Sequence, residues 1–226
     1  MTASLSIVVP VLNEAAGIEA SLRALAPLRE RGAELIVVDG GSADDSAARA
    51  RPLADRVVDG PRGRARQMNA GAASASGAQL LFLHADTRLP ERADQLIADA
   101  LARHPQAWGR FDVHIEGRSR WLPMIATLMN LRSRWSGIAT GDQAMFMTRA
   151  AFDAVGGFPD QPLMEDIELS IRLRRLHAPA CLRERVSTSG RRWEQRGVWR
   201  TIVLMWRLRL LYALGVSADR LALWYR

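Results

Sequence analysis

Lysine is absent: all 31 basic residues of this 226-residue chain are arginine. Side-chain Schiff-base chemistry and a lysine-based phosphate loop are therefore excluded. The single cysteine, Cys181, forms no internal bridge, and no Cys/His cluster has the spacing of a zinc site. It reads as a small buried hydrophobe in a chain of a reducing, cytoplasmic compartment. No basic start followed by an apolar run and a small-residue cleavage site is present, so no signal peptide is expected. The most apolar stretch, 198–216, is broken by Arg200, Arg207 and Arg209. It falls short of the roughly 20 uncharged residues that a spanning helix needs. The first strand runs into Pro10-Val11-Leu12-Asn13 with no dinucleotide fingerprint, and no Ser/His/Asp order reads as a hydrolase triad.

What is present is the composition of a folded domain, 48% hydrophobic and 24% charged. Its charge is uneven. Residues 1–169 carry 18 arginines against 21 acids, a net of −3, and residues 170–226 carry 13 against 3, a net of +10. A basic tail suits phosphate groups or anionic lipid. No nucleic-acid module accompanies it, so no nucleic-acid partner is expected.

The β-branched run Leu5 to Val11 predicts a buried strand. Asn13 then offers an N-cap to a helix carrying Ile18, Leu22, Leu25 and Leu28. Strands are predicted at 34–39, 56–59 and 80–84, alternating with helices near 44–51, 64–75 and 94–103. This alternation predicts an α/β chain with a mainly parallel sheet flanked by helices, binding ligands beyond the carboxyl ends of its strands. After residue 105 the pattern loosens to strands at 108–116 and 144–148 and helices at 121–134 and 165–176. All seven tryptophans lie at or beyond residue 108, as core packing or as an acceptor-facing half with flat aromatic surfaces.

Two strand ends carry acids. Asp39, followed by Gly40-Gly41-Ser42, suits hydrogen bonds from a ribose or base, or equally a helix cap. His84 and Asp86, two apart on an extended segment, face the same way and suit one ion held with a substrate diphosphate; Asp86 also suits a plain turn. Glu165-Asp166 opens a helix, where acids suit the helix dipole or supply a general base. Gly141-Asp142-Gln143 is a further candidate substrate loop. Arg62, Arg64 and Arg66 with Asn69, and Arg191-Arg192-Trp193, suit phosphate oxygens or a solvated basic surface.

Taken in order, Ser6-Ile7-Val8-Val9-Pro10-Val11-Leu12-Asn13-Glu14, Val37-Val38-Asp39-Gly40-Gly41-Ser42, His84-Ala85-Asp86-Thr87 and Glu165-Asp166 resemble the family 2 glycosyltransferases of GT-A fold. The segments Gly63 to Gly71 and Leu83 to Thr87, and the tail with Arg192-Trp193 and Leu208 to Tyr212, resemble one bacterial subgroup. Its members are associated with radical-SAM/selenodomain proteins, and some are assigned to arsenosugar biosynthesis. The resemblance implies inverting sugar transfer from a nucleotide donor, UDP-linked by default. Pro10, Asn13, Glu14, Asp39 and Gly41 would line the nucleotide pocket, with Arg66, Asn69, Asp86 and Arg192 also on the donor. Asp86 would match the last acid of the Asp-x-Asp metal motif, for Mg²⁺ or Mn²⁺, with His84 in place of its first acid. Asp166 would match the base, with Glu165 beside it; Asp142, Gln143 and Trp193 are the acceptor candidates.

The expected division is a catalytic domain over 1–190 and a basic helical extension over 191–226. On a helical wheel Arg196, Arg200 and Arg207 fall within about 40° of one another, opposite Ile202, Leu204, Met205 and Leu208. That apolar face packs on the domain or a second subunit, or lies on a membrane through 196–214 beside a lipid-linked acceptor. Packing is the favoured expectation, and a homo-oligomer and the inner face of the membrane are the partners it leaves. The acceptor is a small or lipid-linked molecule. The rivals to an enzyme of this kind are a degenerate nucleotide- or partner-binding domain and a nucleotidyltransferase.

Overall fold

The computed structural model describes residues 4–225. Eight strands, β1 (Leu5–Val11), β2 (Glu34–Asp39), β3 (Arg56–Asp59), β4 (Gln79–Phe82), β5 (Thr87–Arg88), β6 (Trp108–Glu116), β7 (Met145–Thr148) and β8 (Ala180–Ser189), form one sheet. Its order is β3-β2-β1-β4-β7-β6-β8-β5. The four strands from β3 to β4 are mutually parallel, as expected from their βαβ spacing. Beyond them the sheet is mixed: β7 runs antiparallel to β4 and β6, β6 parallel to β8, and β5 antiparallel to β8.

Eleven α-helices flank the sheet among the described residues: α1 (Ile18–Arg23), α2 (Ala26–Glu30), α3 (Ser46–Ala50), α4 (Arg64–Ser74), α5 (Ala93–Leu101), α6 (Leu122–Ser136), α7 (Arg149–Ala154), α8 (Glu165–Leu176), α9 (Arg191–Arg196), α10 (Val198–Ala213) and α11 (Ala218–Tyr225). The single helix expected after Asn13 is broken into α1 and α2. Pro27 sits in the first turn of the second, where its missing N–H costs nothing. Asn13 caps neither; its φ of 55° turns the chain, and Gly17 holds the N-cap position of α1. Strand β8 was not expected. Its middle, Arg183-Glu184-Arg185, is charged and exposed, and only Val186 and Thr188 carry the inward alternation of a half-buried strand.

The core follows the strand period of two. Ile7, Val9 and Val11 pack on one face of the sheet with Ile18, Leu22, Ile97, Ile125 and Phe111. Val8, Ile36 and Val38 pack on the other with Met68, Phe152, Leu169 and Leu173. Gly71 lets α4 lie directly on Val8, whose methyl would collide with any Cβ there. The face of α10 expected to pack does so: Leu208 is fully buried, and Leu204 and Met205 join Met164, Leu221 and Tyr212 in a third cluster. Cys181 is half-buried and free. Among the described residues, no helix is long and apolar enough to cross a membrane.

Candidate active site

At the carboxyl ends of β1 and β2, Val11 pairs with Asp39. The Asp39 carboxylate is buried and accepts from the backbone N–H groups of Gly41 and Ser42 and from the Ser42 hydroxyl. It thus shapes its own turn, in which Gly41 has a φ of +83°. A carboxylate accepts about four hydrogen bonds, so room for a ligand donor remains. Asn13 is tied to the same turn: its backbone N–H donates to Ser42 Oγ, and its Oδ1 accepts from the Ala43 N–H. The Glu14 N–H donates to Ser46 Oγ at 2.7 Å. Pro10, half-buried on β1, lies in register with Val38 beneath this loop. Sequence reasoning missed Gln67, a buried α4 residue whose Nε2 donates to the carbonyls of both Val11 and Val38. Gln67 lies inside the Gly63 to Gly71 segment that carried the subgroup resemblance, but its residue type did not single it out.

Past the end of β4, His84 and Asp86 do not act as a pair. The His84 Nδ1 lies 3.2 Å from Asp142 Oδ1, and its Nε2 is buried without a partner against Gly141, where a Cβ would collide with it. Neither ring nitrogen is open to an ion shared with Asp86. Among the described residues, no group of three or more His, Cys, Asp or Glu side chains is gathered to hold a metal. Asp86 itself fits the role of a single ligand. Its carboxylate is partly exposed and, among the described residues, paired only with Arg191 at 3.6 Å, which also reaches Glu14 at 3.4 Å. One such carboxylate together with phosphate oxygens and water is ordinary Mg²⁺ or Mn²⁺ chemistry.

The Glu165-Asp166 pair opens α8 after Met164, whose φ of 65° turns the chain into the helix. Asp166 Oδ2 accepts from the Gly141 N–H at 2.9 Å and Oδ1 from its own Ile167 N–H at 2.7 Å. Burial raises the pKa of both carboxyls above the ordinary carboxylate range. The neighbouring Asp166 charge adds to the rise at Glu165, while Arg64, 3.9 Å from Glu165, opposes it. Asp142 moves the other way: burial raises it, but the His84 hydrogen bond and the charges of His84, Arg64 and Arg192 outweigh this and lower it. The Arg192 guanidinium lies 4.6 Å over the Tyr225 ring. Desolvation and the like charge of Arg64 lower its pKa, against Asp142 and Asp86. Acids that follow β1 and β4 or open α8 thus meet arginines from α4 and α9.

Four expected site residues are engaged by other partners. Arg66 is paired with Asp160 at 2.6 Å. Asn69 uses both ends of its amide on the backbone of Phe158, pinning the loop before α8 to α4. Gln143 is fully buried; its side chain accepts from the Thr140 N–H in a capping box and reaches Asn130 Oδ1. Trp193 packs on the main core. Each is a hydrogen-bond or packing role that residue type alone does not separate from ligand binding.

The family model for glycosyl transferase family 2 matches residues 6–158. A PGL/p-HBAD biosynthesis glycosyltransferase of Mycobacterium tuberculosis is 32% identical over 170 residues, 68% of this chain and 62% of that protein. The chain therefore spans less than two thirds of the length of the curated relatives it matches. Among solved structures, the mannosyltransferase PcManGT from Pyrobaculum calidifontis, in complex with GDP-Man and Mn²⁺, superposes with a TM-score of 0.64 at 21% identity. The match covers 92% of this chain and 61% of that one. Glucosyl-3-phosphoglycerate synthase from Mycobacterium tuberculosis, in complex with phosphoglyceric acid, gives 0.58 at 23% identity over 82% and 71%. The GT-A architecture is shared with both, and the chain belongs to glycosyl transferase family 2.

Proposed function

We propose that the protein is an inverting glycosyltransferase that moves a sugar from a nucleotide-diphosphate donor, UDP-linked by default, to an acceptor hydroxyl, with Asp166 as base. The observation that carries this reading is the Glu165-Asp166 pair at the start of α8, Glu165 buried and Asp166 half-buried, both raised in pKa, with Asp166 oriented by the Gly141 N–H and Arg64 beside Glu165. Asp166 takes the acceptor proton as the acceptor oxygen bonds to the anomeric carbon. The bond from that carbon to the diphosphate oxygen breaks on the opposite face, and the leaving group departs with the electron pair. Arg64, Arg191 and Arg192 face the negative charge that develops there. The turn of Asn13, Asp39 and Gly41 receives the nucleoside. A divalent metal bound at Asp86 would supply Lewis-acid stabilisation of the same diphosphate.

The tail motifs support membership of the radical-SAM/selenodomain-associated subgroup, and residues 191–226 are the extension to a catalytic domain over 1–190. Peripheral contact with the inner face of the membrane, serving a lipid-linked acceptor, is supported by a face of α10 that the wheel did not single out. Trp199, Val203, Trp206, Leu210 and Leu214 are exposed along it, between Arg200 and Arg207 on one flank and Arg209 on the other.

The test is thermal stability with UDP, GDP, CDP and dTDP, each with and without Mn²⁺ or Mg²⁺, on wild type and Asp86→Ala. A shift for one nucleotide, metal-dependent and lost in the variant, is the expected result. No shift with any nucleotide would overturn the site assignment and favour the degenerate binding domain, for which the closed His84–Asp142 pair speaks.

A further inference from the structure

A cavity of about 710 Å³ lies between α6, α8 and the α10–α11 pair. It borders α8 at Ile167 and Glu168, the residues that follow Asp166, and not the strand ends where the nucleoside turn sits. Arg132 of α6 lies in its wall with Nε and Nη2 buried and without a hydrogen-bond partner among the described residues. Arg132 as a whole is half-buried, between the buried Ser133 and the exposed Leu131 on α6, so these two nitrogens are shielded while the residue keeps some contact with solvent. Burial lowers its pKa, Asp166 raises it and Arg110 lowers it further, so the side chain stands within electrostatic reach of the base.

The remaining charges of the cavity do not answer Arg132. Glu168 is held by Arg172 at 3.0 Å and by the Tyr212 hydroxyl, which in turn accepts from the Gln161 amide. Arg209, also in the wall, makes no ion pair among the described residues and adds a second positive charge. Ile167, Ile171 and Val216 supply an apolar floor. Guanidinium N–H groups shielded from water without a partner are costly, and the cost is recovered when an anion takes them.

We propose that this cavity is the acceptor subsite and that it takes an acceptor bearing a phosphate or carboxylate group, which Arg132 grips and Arg209 supports. The assignment rests on the transferase reading and names its acceptor class. The anion belongs to a free phosphorylated or carboxylated alcohol, or to a lipid phosphate presented at the exposed α10 face.

The test measures thermal shifts at constant pH and ionic strength with inorganic phosphate, with acetate and with UDP, each alone, and with phosphate over saturating UDP. Wild type, Arg132→Gln, Arg132→Lys and Arg64→Gln are compared. A second arm sediments the protein with phosphatidylcholine vesicles, with and without phosphatidic acid. The expected result is a saturable phosphate shift that persists over UDP and in Arg64→Gln. Its apparent affinity falls about tenfold or more in Arg132→Gln and less in Arg132→Lys, with the UDP shift equal in all Arg132 variants. That equal UDP shift also shows that the variants fold. Retention only on phosphatidic acid vesicles, dependent on Arg132, assigns the anion to a lipid; a shift with soluble phosphate or acetate assigns it to a free acceptor. No phosphate or acetate shift together with vesicle retention that is unchanged in Arg132→Gln, or anion binding of any kind that survives Arg132→Gln, overturns the proposal. Loss of every UDP shift with the Arg132 dependence intact counts against the transferase reading and leaves the anion site standing.

Discussion

Buried carboxyls are where single residues matter most in this molecule. Glu165 binds its proton more tightly folded than unfolded, because burial and the Asp166 charge raise it. Its contribution is therefore favourable below the ordinary value of 4.5 and is lost as the pH rises through the raised folded value. Glu165→Gln is expected to raise Tm by a few degrees at pH 8, with the gain vanishing below pH ~4.5. Thermal unfolding across that pH range checks it. Asp166→Asn is expected to lower transferase turnover by about 10²- to 10⁴-fold while leaving nucleotide binding intact. With Asp166 as the proposed base, wild-type turnover is expected to fall as acid protonates it, at a higher pH than for an ordinary aspartate. The place of these two acids at a helix start was legible in the sequence because adjacent acids there are a compact pattern. The pairing of His84 with Asp142 was not, since it joins a strand end to a turn 58 residues later, and nothing in the sequence marks the distance. Arg66 and Arg64 illustrate the same limit: two residues apart on α4, one meets Asp160 and the other Glu165.

Among the elements, β1, β2 and α8 were legible because their apolar periods are clean. Strand β8 was hidden by three consecutive charged residues that the sheet leaves exposed. Helix α10 carries two apolar faces, and its sequence period marked only the buried one. Leu208 anchors that face with no solvent exposure. Leu208→Ala is expected to cost the tail about 2–5 kcal/mol. Faster amide hydrogen exchange should appear in 198–225 before it appears in β1 and β2. Equal loss of protection in the central sheet would show that the tail and domain unfold as one unit.

At the scale of the whole molecule, a net of −3 over residues 1–169 faces a net of +10 over the rest. Anionic vesicles are therefore expected to retain the protein and neutral ones to release it, with retention weakening as salt rises. Replacing Trp199 and Trp206 together by alanine should abolish retention without changing the UDP shift; vesicle sedimentation and thermal stability read the two separately. Monomeric protein by light scattering is expected alongside, because a second copy covering the same face would mask it from lipid.

The amide of Gln67 straddles the ends of β1 and β2, while the helix that carries it begins at Arg64 beside Glu165 and is pinned at Asn69 to the loop that leads into α8. Helix α4 is thus a gauge block between the turn of Asn13 and Asp39 and the Glu165-Asp166 pair. On the proposed transferase reading it would keep the separation between donor and proton acceptor from drifting, so that a substrate would gain reactivity by fitting a fixed span and not by drawing the two halves together.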